Sequence, residues 1–287
     1  MKRLVFLSFR QFVLASLLCI LTKHSFAQYY YHDILLTAEN MQQLQLYKKN
    51  AVAQIKLLSF EANGQPAEKF TCEVTPNTSY SQIKTITQSD FTGNSSLTAF
   101  YHPNGQLYRT TDSSNESVNQ YQYSYGNDGK LIAATSISEG WNSNLKQTET
   151  HVWTYQLDGC PEKMLRVKNS TDTSIVHFTC DNNGNVTEEE LWIRGIPQGK
   201  LYYYYDTLHR LTDIVRYHPR LSRLLPDYMF EYDGKNRVTQ MTTLQQGGTD
   251  YLLWEYRYND NGLKTEALCR NKQKQPAGKI EYLYHYR

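Results

Sequence analysis

The stretch from Phe230 to Val238 reads FEYDGKNRV. Its two aromatic residues, Phe230 and Tyr232, flank one polar residue, which is the spacing of side chains on one face of a β-strand. Asp233 and Gly234 then open a run of turn-forming residues, and Val238 starts a second strand-like segment. The stretch predicts a β-hairpin. Because its pattern recurs along most of the chain, it also decides the fold.

The copies are aligned by counting the second aromatic residue as position zero. They follow one another every 24 to 30 residues from Tyr101 to Tyr258, and Tyr282 to Tyr286 has the first half of one more. A period of this size is typical of repeat proteins. The eight centres are Phe60, Tyr101, Tyr125, Tyr155, Cys180, Tyr205, Tyr232 and Tyr258.

Position plus four always holds a residue that tolerates a positive φ angle. It is glycine in six copies, and His209 and Asn236 take its place in the other two. Glycine adopts left-handed conformations freely, and histidine and asparagine do so more readily than most residues. The position predicts a type I turn followed by one left-handed residue, which is a common hairpin loop with a bulge.

The strands alternate between an apolar and a polar face. The aromatic residues at positions minus two and zero share one face, and an apolar residue at plus six, such as Leu211, returns to it across the hairpin. The other face is polar, as Gln122 and Ser124 illustrate. One apolar and one wet face indicate an antiparallel meander. Most of the 24 tyrosines are therefore expected to be cross-strand core residues rather than a ligand site.

The predicted fold class is all-β. We expect about eight to nine repeated β-hairpins in an antiparallel meander, which forms a curved or spiralling single-layer sheet with one short N-terminal helix. A five-bladed propeller with two hairpins per blade is the alternative. The nearly even single-hairpin period favours the meander.

Four turn sequences resemble the YD repeats of RHS-type bacterial proteins. They are YHPNGQL (101–107), YGNDGKL (125–131), YDTLHRL (205–211) and YDGKNRV (232–238). The resemblance spans residues 57–287 and implies a spiralling sheet of hairpins, which in large members forms a shell around a toxin domain. This chain resembles a short form without a toxin domain. The turns are also similar to those of small antitoxin-like repeat proteins with YxxGxL motifs.

Residues 1–27 have the features of a secretory signal peptide: a basic start, an apolar run over Phe12–Leu21 and a small-x-small site at Ser25–Ala27. A buried N-terminal helix is the alternative. Cleavage before Gln28 would make this an exported bacterial protein, located in the periplasm, at the cell surface or in the medium. Because four basic residues leave, the net charge changes from +2 to −2. No basic patch remains, which disfavours nucleic acid as a partner, and no integral membrane span is expected.

The only clearly helical pattern runs from Thr37 to Lys49, with Thr37 as its cap. We expect this helix to cover the first edge of the sheet. The predicted organisation is a signal peptide at 1–27, an N-terminal segment with the capping helix at 28–50, and a hairpin repeat domain at 51–287.

Four cysteines follow the signal peptide: Cys72, Cys160, Cys180 and Cys269. They form no CxxC motif, so metal and thioredoxin-like chemistry are not expected. Because Cys180 takes the place of a core aromatic residue, the first interpretation is a buried free thiol. A disulfide between Cys160 and Cys180, in neighbouring units, is the alternative.

The sequence contains none of the common catalytic, phosphate-binding or dinucleotide-binding motifs. We therefore expect no enzyme activity, no cofactor and no metal, although carboxylates from distant loops can converge in a glycosidase. The run Glu188–Glu190 is interpreted as a solvated stretch.

The predicted function is a non-enzymatic extracytoplasmic repeat scaffold that binds a protein or glycan through an extended sheet face or its loops. The alternatives are an accessory or remnant of an RHS-type toxin-delivery system and an outer-membrane barrel. Three aromatic residues are candidates for the contact surface. Trp141 lies in a long connection, whereas Tyr202 and Tyr204 interrupt the polar face of a strand.

Overall fold

The structure, a computed structural model, describes residues 29–90, 93–141, 146–218, 221–244 and 250–287. The predicted signal peptide lies outside these residues. One helix and eighteen strands form the described fold. They are α1 His32–Lys49, β1 Val52–Glu61, β2 Thr71–Pro76, β3 Gln82–Ser89, β4 Gly93–Tyr101, β5 Leu107–Ser114, β6 Ser117–Tyr125, β7 Leu131–Gly140, β8 Lys146–Tyr155, β9 Pro161–Lys168, β10 Asp172–Cys180, β11 Val186–Ile193, β12 Ile196–Tyr205, β13 Leu211–His218, β14 Arg223–Tyr232, β15 Val238–Leu244, β16 Tyr251–Tyr258, β17 Lys264–Arg270 and β18 Pro276–Tyr286.

All strands belong to one antiparallel sheet. Each pairs with its neighbours in sequence, and β1 also pairs with β18, from Val52 opposite Tyr286 to Glu61 opposite Gly278. The predicted meander of hairpins is therefore confirmed. The sheet does not spiral open, however, because its first and last strands close it into an 18-stranded barrel. The five-bladed propeller is wrong, since a propeller needs separate sheets.

The apolar face of the strands points into the barrel. Tyr123, Trp153, Phe178 and Tyr203 are buried there, as the alternation predicts. A second apolar cluster includes Trp254 and lines the wall formed by β1, β2 and β16–β18. The core is thus a lining of large side chains on the inner wall.

The two ends of the barrel differ in their connections. We call one end mouth A, where the loops 77–81, 102–106, 126–130, 156–160, 181–185, 206–210, 233–237 and 259–263 lie, and the other end mouth B. The turn after Phe60 has the expected geometry, with Gly64 at φ +79°. It lies at mouth B, because three strands separate it from the turn after Tyr101. A similar turn at 271–275 is also at mouth B, and the sequence pattern missed it because Arg270 stands where an aromatic residue was required.

Helix α1 differs from its prediction in two respects. It begins at His32, so Thr37 is not its cap but an internal residue whose hydroxyl donates to the carbonyl oxygen of Asp33 or Ile34. It also covers no sheet edge, because β1 is paired on both sides. Because the closed sheet has no free edge, the helix packs across an opening of the barrel instead.

The helix lies across mouth A, against the inner wall. At its start, the Tyr31 ring is 5.4 Å from that of Tyr203 on β12. Towards its end, Leu46 lies beside the turn that contains Gly262, between β16 and β17. A helix of this length is about 27 Å long, which suits a crossing of the mouth. Within the described ranges, no helix is long and apolar enough to cross a membrane.

Candidate functional site

Four turns at mouth A are organised by the residue that follows their centre, which is Asp181, Asp206, Asp233 or Asn259. One carboxylate oxygen of Asp233 accepts the backbone N–H groups of Lys235 and Arg237, at 2.8 and 3.0 Å. The other oxygen accepts the Arg237 guanidinium at 2.7 Å. Asn236 adopts the predicted left-handed conformation, with φ +61°. The YDxxxR pattern therefore stabilises the turn. Because its aspartate and arginine bind each other, their charges are no evidence of a ligand site.

Most of the central tyrosines tie their hairpin to the preceding one. The Tyr232 hydroxyl donates to the Leu211 carbonyl at 2.7 Å, while Arg210 covers the Tyr232 ring at 4.7 Å. This repeated bond explains why tyrosine rather than phenylalanine dominates position zero. The same bond joins Tyr125 to Leu107, Tyr155 to Leu131, Tyr205 to Val186, Tyr258 to Val238 and Tyr284 to Lys264.

Replacing Tyr232 by phenylalanine is expected to lower the free energy of unfolding by about 1 kcal/mol, because it removes one hydrogen bond and keeps the ring. Urea unfolding measures the change. Tyr204→Phe is the control, since Tyr204 is exposed on the outer wall. Equal effects of the two substitutions would contradict a structural role for this hydroxyl bond.

A disulfide replaces the tyrosine bond at one position. Cys180 is bonded to Cys160 in the preceding hairpin. The interpretation of Cys180 as a buried free thiol is therefore wrong, and the alternative bridge is confirmed. Cys72 and Cys269 are buried free thiols, and burial raises the pKa of both. Their desolvation favours the unreactive neutral form.

The outer wall carries an aromatic and aliphatic patch on β12–β14. Tyr202 lies opposite Val215, which in turn lies opposite Pro226. Tyr204 and Met229 flank Asp213 in the next row. We call this surface the β12–β14 face, and it consists of Tyr202, Tyr204, Val215, Tyr217, Leu224, Pro226 and Met229.

Several members of the β12–β14 face are open to solvent. Tyr204 is 47% exposed, Tyr217 53%, Leu224 45% and Met229 42%. The neighbouring strand β11 is charged, and its Glu188 binds Lys200 at 2.7 Å. Asp213 lies within this face, and the side chains around it are aromatic or aliphatic. An exposed apolar patch with a polar border is typical of a contact site.

The three nominated aromatic residues do not form one surface. Trp141 is 58% exposed, but it follows β7 at mouth B, and its indole N–H donates to the Ser114 carbonyl at 2.9 Å. At least four strand spacings, or about 19 Å, separate its position from β12. Tyr202 and Tyr204 belong together, whereas Trp141 is a separate feature.

Inside the barrel, buried charges hold the start of α1. The carboxylate of Glu189 accepts the N–H of Tyr30 at 2.8 and 3.0 Å and that of Tyr31 at 2.9 Å. It also accepts the Tyr203 hydroxyl at 2.7 Å. Burial raises the pKa of Glu189 to about 6 despite these bonds. An anion at the start of a helix also suits the helix dipole. The interpretation of Glu189 as a solvated residue is therefore wrong.

A histidine links the helix to the wall. His151 donates from Nδ1 to Asp33 at 2.6 Å and from Nε2 to Glu149 at 3.0 Å. Glu149 also binds Arg166 at 2.7 Å. We call Asp33, Glu149, His151, Arg166 and Glu189 the latch.

The electrostatics of the latch keep His151 protonated and Glu149 ionised. Burial alone would lower the pKa of His151, but the carboxylates of Asp33 and Glu149 outweigh it and raise the pKa to about 9. The same histidine and Arg166 hold the pKa of Glu149 at about 2, against the effect of burial. A histidine that stays protonated at neutral pH is a poor general base. No group of three or more potential ligands suited to a metal ion occurs among the residues that the structure describes.

No family model and no curated protein matches the sequence. Among solved structures, the chain is similar to a porin-like protein from Bacteroides uniformis, with 9% identity, 82% of this chain and 97% of that chain covered, and a TM-score of 0.40. A porin-like protein from Bacteroides vulgatus has 12% identity, 82% and 98% coverage and a TM-score of 0.29. The Photorhabdus luminescens Tc holotoxin pore has 11% identity and a TM-score of 0.21, over 75% of this chain and 16% of that one.

Proposed function

We propose that this protein is an exported, non-enzymatic binding scaffold that contacts a protein or glycan through the β12–β14 face. The observation that carries the proposal is the exposed aromatic and aliphatic patch on a rigid barrel wall. Such a surface offers flat rings for stacking on a sugar or for packing against a protein, at little cost in side-chain entropy.

Two further observations support an extracytoplasmic location. The Cys160–Cys180 disulfide is of the kind that persists in oxidising compartments, and the first 27 residues have the pattern of an export signal. Outside the β12–β14 face, the outer wall carries ion pairs, including Lys56–Glu73 and Arg270–Glu255. Charges at such positions favour an outer wall in water over one in lipid.

The test is a quantitative binding experiment with the immobilised protein, envelope extract and a panel of soluble glycans. The triple variant Tyr204→Ala, Tyr217→Ala, Met229→Ala is expected to weaken saturable binding at least about tenfold, because buried aromatic anchors dominate such interfaces. Circular dichroism checks that the barrel remains folded.

A matched control lies on another part of the outer wall. Val152, Leu165 and Ile175 form one cross-strand row on β8–β10 and are about as exposed as Met229. Their triple alanine variant is expected to bind like the unmodified protein. Equal binding by both triple variants and the parent would overturn the assignment of the β12–β14 face.

A further inference from the structure

Helix α1 is attached to the barrel in different ways at its two ends. Its last turn continues through Asn50 and Ala51 directly into β1. Ala51 has φ +50°, a left-handed conformation that is unfavourable for alanine. Within the described residues, its first turn is held to the barrel by side chains, through the latch and the tyrosines around it. The end that runs into β1 therefore has the geometry of a strained hinge, and the other end that of a clasp.

The middle of the helix is open to solvent on one side. Thr37 and Leu44 are its only buried residues in the described structure. Met41, Gln42 and Gln45 are exposed, and with Leu46 and Lys49 they line an open groove of about 430 Å³. Helices in proteins derive most of their stability from a buried apolar face. In α1 only Leu44 is a fully buried apolar residue, and the others that pack against the core, including Ile34 and Tyr47, are partly exposed.

The docked helix also leaves one charge on the facing wall poorly hydrated. Burial lowers the pKa of Lys264 to about 8, against the attraction of Glu39 on α1, and the Lys264 ammonium lies over the Tyr256 ring at 3.9 Å. Undocking would return the Lys264 charge to water, which favours release, and would separate it from Glu39, which opposes release.

From this geometry we propose that α1 is a releasable plug. It detaches at the latch, swings about Asn50 and Ala51, and opens mouth A while the barrel stays closed. The lumen wall that it uncovers is polar in part. The hydroxyl of Ser174 is buried there without a hydrogen-bond partner among the described residues, so entering water or a polar solute would satisfy it.

Native-state hydrogen exchange tests the plug. In the parent protein, the hydrogen-bonded amides of α1 are expected to exchange at least about tenfold faster than those of β12–β17, in a separate local opening. Glu189→Ala is expected to accelerate amide exchange in α1 by a further ten- to hundredfold, because it removes hydrogen bonds to a charged acceptor. It is expected to leave exchange in the strands unchanged.

Two variants keep the test decisive. Glu189→Gln retains an acceptor oxygen, so it is expected to accelerate amide exchange in α1 less than the alanine substitution does. It replaces the alanine variant in the test if that variant does not fold. Glu255→Ala removes a carboxylate on the outer wall that binds Arg270 at 2.7 Å, and it is expected to leave α1 unchanged. The plug is refuted if α1 and the strands exchange together in the parent, or if the Glu189 variants accelerate β11 and β12 as much as α1.

Discussion

Replacing both Cys160 and Cys180 by serine is expected to lower the free energy of unfolding by about 3 kcal/mol. The bridge joins residues that are 20 positions apart. A crosslink that closes a loop of this size removes conformations from the unfolded chain and stabilises the folded state by about this amount. Denaturant unfolding of the oxidised parent and the double serine variant measures the difference.

The reductant provides the control for this prediction. Dithiothreitol is expected to destabilise the parent to a similar extent and to leave the double serine variant unchanged, because Cys72 and Cys269 are already free thiols. A parent protein that is indifferent to the reductant would show that the bridge does not contribute to stability.

A second pair of variants tests why a cysteine can stand at position 180. Cys160→Ala combined with Cys180→Tyr is expected to recover about 1 kcal/mol of the lost stability. The new tyrosine hydroxyl can donate to the Pro161 carbonyl, as most other central tyrosines donate to a carbonyl of the preceding hairpin. Cys160→Ala with Cys180→Phe is the matched control. Equal stability of the two would mean that the hydroxyl bond is not what the disulfide replaces.

The turns could be predicted from sequence because their determinants are local. Gly129, His209 and Asn236 each sit at the left-handed position that their residue types indicate. Closure of the barrel could not be predicted in the same way. It depends on β1 and β18, which lie at opposite ends of the described chain, and on the stagger accumulated over all strands. No short motif encodes that sum.

The candidate site was predictable only in part. Tyr202 and Tyr204 interrupt a polar face, which is a local signal, and the structure places both on the β12–β14 face. Tyr217 and Met229 were missed, although the alternation of their own strands places them on the outer face. Leu224 and Pro226 are harder to place, because the extra residue Asp227 in β14 displaces the alternation before Tyr228.

The latch was missed because its partners are distant in sequence. Asp33 and His151 are 118 residues apart. Glu189 resembles its charged neighbours Glu188 and Glu190 in sequence, although it is only 2% exposed. Its one local signal is that it is two residues before Leu191 and therefore on the inward face of β11. A carboxylate at an inward position needs a buried partner, and the sequence could not show that this partner is α1.

Raising the pH from 6.5 to 9 is expected to remove stability on the order of 3 kcal/mol through His151. Asp33 from α1 and Glu149 from β8 raise the pKa of His151 from 6.5 to about 9, against the opposing effect of burial. A group whose pKa is higher in the folded state stabilises fully below its unfolded pKa. That contribution is lost as the pH rises through the folded pKa. Urea unfolding at several pH values between 6 and 9 measures it.

The informative quantity is the difference between the parent and His151→Gln. Lys264 has a pKa lowered to about 8, so its destabilising effect on the folded state is relieved as the pH rises above 8. Glu189, with a pKa of about 6, changes its protonation mostly below pH 6.5. Both residues are present in the two proteins, so their contributions cancel in the difference. A difference that stays constant from pH 6.5 to 9 would mean that His151 is not charged at neutral pH. If the difference falls while α1 exchange accelerates in parallel, then the proton that stabilises the fold is the one that keeps the latch closed.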